Sequence, residues 1–313
     1  MSYSKLSSFV LSAILFLSCA LSAGATNVVA SNKKSTVSVS TGNFNKIKVD
    51  CIAKVIYSNA FTSSVKITAP DNIQPFISAK AVNGTLDVKL VSKDDLSLAF
   101  GNDAMLNDGN PFIVIEVSSP ELRAVDLSNS SVMVINGNFT TPDFAVSING
   151  LSSFSAKTIN CNGALKATLS GNGDLQLGNV VANSLKCALT GDGNIKLKSF
   201  NGSSANVFLL GQGQITAGNI TADSLSCSLN GQGSIRLDGD VPTGNLKLNG
   251  RGSISAAHLN LDNAFVNASG SGEVYCKAQY SLSTATTDGC KVFYYGNPSV
   301  SSTGAEQPQH LGI

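Results

Sequence analysis

Leu165-Lys166-Ala167-Thr168-Leu169-Ser170-Gly171-Asn172-Gly173-Asp174-Leu175 returns twenty residues later as Leu185-Lys186-Cys187-Ala188-Leu189-Thr190-Gly191-Asp192-Gly193-Asn194-Ile195. The Gly-x-Gly recurs four times more, at Gly211, Gly231, Gly250 and Gly270, with steps of 20, 20, 20, 19 and 20 residues. A period of that size is the mark of stacked structural repeats. Two residues before each first glycine stand Leu169, Leu189, Leu209, Leu229, Leu248 and Ala268, and four before stand Ala167, Cys187, Val207, Cys227, Leu246 and Val266. Four after it stand Leu175, Ile195, Ile215, Ile235, Ile254 and Val274. The intervening residues, such as Lys166, Lys186, Ser226, Gln176 and Lys196, are polar. Strict alternation of this kind places one face of each short strand inside and the other in water.

Both glycines fall in phase with the buried columns, so they mark either a bend or a place where no side chain fits. Past the second strand the phase slips by one: Val180, Phe200, Ile220 and Leu259 lie nine residues beyond a first glycine, and an odd step between inward residues requires a corner. Each unit is two or three short strands joined by tight bends, too small to fold alone, and stacking buries ladders of Leu, Ile and Val. The expected fold is all-β: a right-handed parallel β-helix (solenoid) of about 20-residue coils, preceded by an irregular β N-terminal part, the handedness following from that of parallel crossovers.

Two rival meanings of Gly-x-Gly are weaker. A phosphate-cradling loop needs a helix opening directly after the glycines and occurs once per site, whereas these lead into strand sequence six times. A calcium-binding roll needs a column of Asp, and the acids near the bends are only Asp174, Asp192 and Glu273.

Residues 1–25 read as a secretion signal: Lys5, an apolar core from Phe9 to Leu17, and Ala23-Gly24-Ala25 as the cleavage site. The apolar run is too short for a good membrane span. Lipidation at Cys19 is the alternative to soluble export, although Phe16 stands where a lipobox prefers Leu. Without Lys5 the chain carries 20 basic and 20 acidic residues, with no basic run, which argues against nucleic acid as a partner. Residues 26–40 form a polar, flexible lead-in and 41–298 the β domain, irregular over 41–117 with an exposed loop at 92–111, and regular over 118–298. Strands are expected near Ile47–Cys51, Val55–Tyr57, Ser64–Thr68, Thr85–Leu90 and Phe112–Val117. Ser130 and Gly150 occupy the glycine phase of early, degenerate coils. Aromatic Phe293, Tyr294 and Tyr295 suit a unit covering the last open layer, and the tail 299–313 is expected to be disordered.

Phe44-Asn45-Lys46-Ile47-Lys48-Val49, then Pro120-Glu121-Leu122, the repeated Gly-x-Gly-x-Ile, and a closing Tyr294-Tyr295-Gly296-Asn297-Pro298 together resemble one bacterial family, described as "putative auto-transporter adhesin, head GIN domain". The resemblance spans about residues 40–298. It implies an exported right-handed β-helix-like protein, found mainly in Bacteroidetes, whose name suggests adhesion and which brings no catalytic residues. An auto-transporter needs a membrane barrel after its passenger, and only a short polar tail follows Pro298, so adhesion here would use another anchoring route.

Six cysteines follow the signal. Cys187 and Cys227 share a column two coils apart, about 9–10 Å, beyond disulfide reach. They read as small core residues, and Cys276 with Cys290 is the one candidate disulfide. No Cys-x-x-Cys, nucleophile elbow or metal spacing is present, so no catalytic, cofactor or metal residue is assigned. His258 reads as a surface corner residue and His310 lies in the tail. The outward column Asn172, Asp192, Gln212, Gln232 and Arg251 (then Ser271) is the candidate ligand-facing polar ladder, flanked by Asp174, Asn194, Gln214, Ser234, Ser253 and Glu273. Such ladders bind an extended glycan or surface protein, or else hydrogen-bond coil to coil. Three functions stay open: a non-enzymatic surface or periplasmic binding module, a polysaccharide lyase or hydrolase using Arg236, Lys247 or Arg251 with Asp238, Asp240, Asp262 or Glu273, and a structural envelope protein. A groove gathering carboxylates and a base separates the second from the first.

Overall fold

The structure, a computed structural model, describes residues 26–91, 96–99 and 112–312. The expected signal at 1–25 with Cys19 lies outside the described residues, as does the loop expected at 92–111 apart from Leu96–Ala99. Strand is the only regular element among them save one 3-10 turn at Gln74–Phe76. Stacked parallel strands make a β-solenoid of about 9 turns with irregular strands at the N-terminal side. The chain divides into two compact units, Met1–Asn136 with Asn149–Phe154, and Gly137–Ile148 with Ser155–Ile313.

In the first unit, Lys46–Asp50 pairs in parallel with both Thr85–Leu90 and Ala124–Ser128, while Lys54–Asn59 pairs in parallel with Val114–Ser119 and with residues 132–135. Alternate residues face inward: Ile47, Val49, Leu86, Val88, Val125 and Leu127 are all buried. The irregularity comes from antiparallel additions. Ser64–Pro70 runs antiparallel to Val114–Ser119, and Ile77–Val82 doubles back on Thr85–Leu90. That hairpin turns at Asn83-Gly84, with φ of 49° and 76°, the paired left-handed conformation of a two-residue turn whose twist suits its strands.

The lead-in is not flexible over its whole length. Lys34–Val39 pairs antiparallel with Ser64–Pro70, from Lys34 opposite Pro70 to Val39 opposite Val65. Thr26–Val29 pairs in parallel with Leu96–Ala99. Lys34–Val39 buries none of its residues, so its composition stays polar while its backbone hydrogen bonds still place it on the sheet.

In the second unit the twenty-residue coils stack in register. Leu165, Ala167 and Leu169 lie beside Leu185, Cys187 and Leu189, which lie beside Ala205, Val207 and Leu209, and these beside Leu225, Cys227 and Leu229. Each coil has a long wall such as Ser184–Gly191, a corner at Gly-x-Gly, a second wall such as residues 194–197, and a short third wall after the phase slip, where Val180, Phe200, Ile220 and Leu259 are buried. The two glycines of a corner do different work. The first adopts left-handed φ, 118° at Gly191 and 130° at Gly211, which L side chains rarely adopt. The second is a matter of space: a Cβ on Gly193 would lie 2.5 Å from the Gly173 carbonyl oxygen and 2.9 Å from Leu169 Cδ2. The 19-residue coil loses its residue at the third wall. There the register shifts between Ala217 and Ile220, and Gly239 takes the rung between Ile220 and Leu259.

The end of the chain departs from expectation. Ser299–Gly304 and Gln309–Gly312 are strands of a further coil, pairing with Ser281–Thr286 and residues 293–295. The inward columns turn polar just before it: Thr284 and Thr286 are buried, and the tail supplies their partners, Ser302 Oγ at 3.0 Å and the Glu306 carbonyl oxygen at 2.8 Å. Thr284 and Thr286 stand in register with Val266 and Ala268 of the preceding coil, so the aliphatic signal is lost here and the sequence reads as a polar tail. Of the three aromatics expected to cover the last layer, Phe293 lies in the outward column and a further strand pairs with all of them. Tyr294, in the inward column below Cys276, stacks on His310 with ring centroids 4.9 Å apart.

Candidate functional site

The corner column Asn172, Asp192, Gln212, Gln232, Arg251 and Ser271 stands at consecutive coils and is exposed throughout. The backbone fixes it: Gln232 and Arg251 donate their N–H groups to the carbonyls of Gly211 and Gly231, at 3.0 and 2.9 Å. Their side chains take no part in the hydrogen bonds or ion pairs among the described residues, whereas single pairs in other outward columns are tied coil to coil. Asn194 Nδ2 donates to Asp174 (3.1 Å), Ser199 to Asn179 (3.0 Å), Ser203 to Asn183 (3.2 Å) and Asn260 to Asp240 (2.6 Å). Of the two fates foreseen for polar ladders, coil-to-coil hydrogen bonding is seen at these pairs.

Beside this corner the second wall carries a shallow depression of about 370 Å³ bordered by Ser155, Gln176, Gly178, Lys196, Lys198 and Thr216. It opens where the wall turns inward: a Cβ on Gly178 would sit 2.0 Å from the Lys157 carbonyl oxygen. Further along, the outward column of the same wall runs Arg236, Ser255, Tyr275, Phe293 and Gln309. Tyr275 and Phe293 stack with centroids 4.8 Å apart and planes at 16°. Tyr275 donates its hydroxyl to Glu273 at 2.9 Å, and that bond, ahead of burial and nearby charge, raises the phenol above its ordinary pKa.

The charged residues considered for polysaccharide cleavage are spent locally. Arg236 Nε donates to Asp238 at 3.3 Å, Asp240 accepts from Asn260, and Glu273 from Tyr275. Lys247 lies on the long wall and Arg251 at the corner, apart from the acids, while Arg236 is held in an ion pair with Asp238. Among the described residues no three His, Cys, Asp or Glu side chains gather as a metal would require. His258 is exposed, in register with Asp238.

All six described cysteines are buried and unbridged. Val207 lies between Cys187 and Cys227 in the ladder. The candidate Cys276–Cys290 disulfide is not formed: Cys276 is paired with Tyr294, which places Cys290 four residues away along the strand, or about 13 Å. Burial pushes the Cys187 and Cys276 thiols up to about 12 and Cys161, aided by Asp143, to about 11, so they are core residues without thiolate chemistry.

Coil-stacked parallel strands with a file of exposed polar side chains along one corner define a β-solenoid. The sequence matches the family described as "putative auto-transporter adhesin, head GIN domain" over residues 43–209 and 180–298, and the chain belongs to that family. Among solved structures, a "putative adhesin" from Parabacteroides merdae is 17% identical with a TM-score of 0.57, the alignment covering 92% of this chain and 98% of that one. A "putative adhesin" from Parabacteroides distasonis has a TM-score of 0.51 at 17% identity, covering 92% and 100%. At these identities the likeness is one of fold. No match is found among curated proteins. No helix among the described residues is long and apolar enough to cross a membrane.

Proposed function

We propose that this protein is an exported, non-enzymatic binding module of the cell surface or periplasm, which grips an extended glycan along the corner column Asn172, Asp192, Gln212, Gln232 and Arg251. The observation that supports this reading is an unbroken run of exposed polar side chains on consecutive coils with no side-chain hydrogen bond among the described residues. Pairs such as Asn194–Asp174 and Ser199–Asn179, by contrast, are tied to one another. A row of amides and charges spaced by about 4.8 Å presents donors and acceptors at a constant interval, which suits a polymer better than a compact ligand. The adhesin family supports a binding role, and the secretion pattern at residues 1–25 supports export.

A glycan and matrix-protein array probed with the purified protein tests this. Binding to a polysaccharide is expected, weakened at least tenfold when Gln212, Gln232 and Arg251 are all changed to Ala, and little changed by Asn179→Ala on a tied column. Retention of only matrix proteins would replace the glycan by a protein partner. Binding unaffected by the triple change would remove the corner as the site.

A further inference from the structure

The second wall offers a separate site for a single sugar ring, distinct from the corner column. Its outward column places one small residue, Ser255, between Arg236 and Tyr275. Neighbouring coils are about 4.8 Å apart, so the backbones at Arg236 and Tyr275 are separated by about 9.6 Å, while the Arg236 side chain turns along its own strand to Asp238. The observed 4.8 Å stacking of Tyr275 on Phe293 shows that side chains in this column follow the coil spacing. A ring laid on the face of Tyr275 turned away from Phe293, at a contact of about 4–4.5 Å, lies over Ser255.

We infer that the slot over Ser255 binds a neutral hexopyranose, its C–H face on Tyr275 and its hydroxyls toward Glu273 and the Arg236–Asp238 pair. Phe293 backs Tyr275 on the opposite face, and Glu273 fixes the phenol, so the platform is set before ligand arrives. These aromatics point outward and cover no core layer; Tyr294 in the inward column does that. Asp238 adds a second independent feature. One carboxylate oxygen accepts from Arg236, which holds the guanidinium in place beside the slot for ligand hydroxyls to meet. Two carboxylates, Asp238 and Glu273, flank the slot and Arg236 is the cation between them, so an acidic sugar is disfavoured. A ring with all hydroxyls equatorial, exposing flat C–H faces, fits best.

Saturation-transfer NMR with methyl β-glucopyranoside tests the assignment, with methyl β-glucuronide as the acidic comparator. The expected result is saturation concentrated on H1, H3 and H5, reduced at least fivefold for the glucuronide and in both Tyr275→Ala and Ser255→Phe. Ser255→Phe fills the slot from an outward position and leaves the inward columns intact, so its effect does not depend on the fold tolerating loss of Tyr275. Asn206→Ala, exposed on the long wall, is expected to change nothing. Absence of saturation in the native protein, equal signals in either slot variant, or a glucuronide signal as strong as that of the glucoside would overturn the inference.

Discussion

Leu209→Ala is expected to lower stability by about 3 kcal/mol, within the range for emptying a buried leucine site. Leu209 is 0% exposed and lies in register between Leu189 and Leu229. Its removal cannot be absorbed by collapse, because the rungs on either side are held by ladders of backbone hydrogen bonds at a fixed spacing. In a stack where each coil contacts only its neighbours, the loss weakens two interfaces at once, and unfolding should begin there. The next residue in the same strand, Leu210, points outward and is 41% exposed, so Leu210→Ala should move stability by under about 0.5 kcal/mol. Urea titration of the two variants checks this. Equal effects would mean that the inward and outward columns have been exchanged.

Gly211→Val should be at least as damaging, costing about 3 kcal/mol or more. The φ of 130° at Gly211 is a conformation a β-branched residue strongly resists. Independently, its Cβ would lie 2.5 Å from the Gly191 carbonyl oxygen, so the coils would have to part at the corner. Gln212→Ala, one residue on and fully in solvent, should change stability by less than about 0.5 kcal/mol. Thermal unfolding of the pair reads the difference directly, and a Gly211→Val protein as stable as its Gln212→Ala counterpart would mean the corner is not built as described.

The regular coils were legible because inward columns in a parallel stack repeat chemically: Leu169 through Leu248 and Leu175 through Val274 show the rungs without any knowledge of register. The N-terminal part was less so. Polar Lys34–Val39 carries no buried residue to betray it, and the strand Ile77–Val82 went unread although Asn83-Gly84 was the turn signal that marks its hairpin. The last coil was hidden for a similar reason, since Thr284 and Thr286 replace aliphatics inside and are satisfied only through residues that read as tail.

The corner column could be found from spacing alone, because every member sits one residue past a glycine. The slot over Ser255 could not. Its column steps by 19, 20 and 18 residues through Arg236, Ser255, Tyr275 and Phe293, so a fixed period never aligns them, and only the strand register brings them together.

Everything turns on adjacent coils lying rung on rung, and cysteine trapping at the corner measures that most directly. With the six described cysteines buried and unbridged, paired changes Gln212→Cys and Gln232→Cys would place two Cα atoms about 4.8 Å apart, within disulfide range. The pair Asp192→Cys and Gln232→Cys skips a coil, at about 9.6 Å, and lies outside it. Mild oxidation is predicted to close the first pair nearly completely and the second not at all, as read by intact mass under denaturing conditions. A first pair that stays reduced while the second closes would contradict the stacked-coil account.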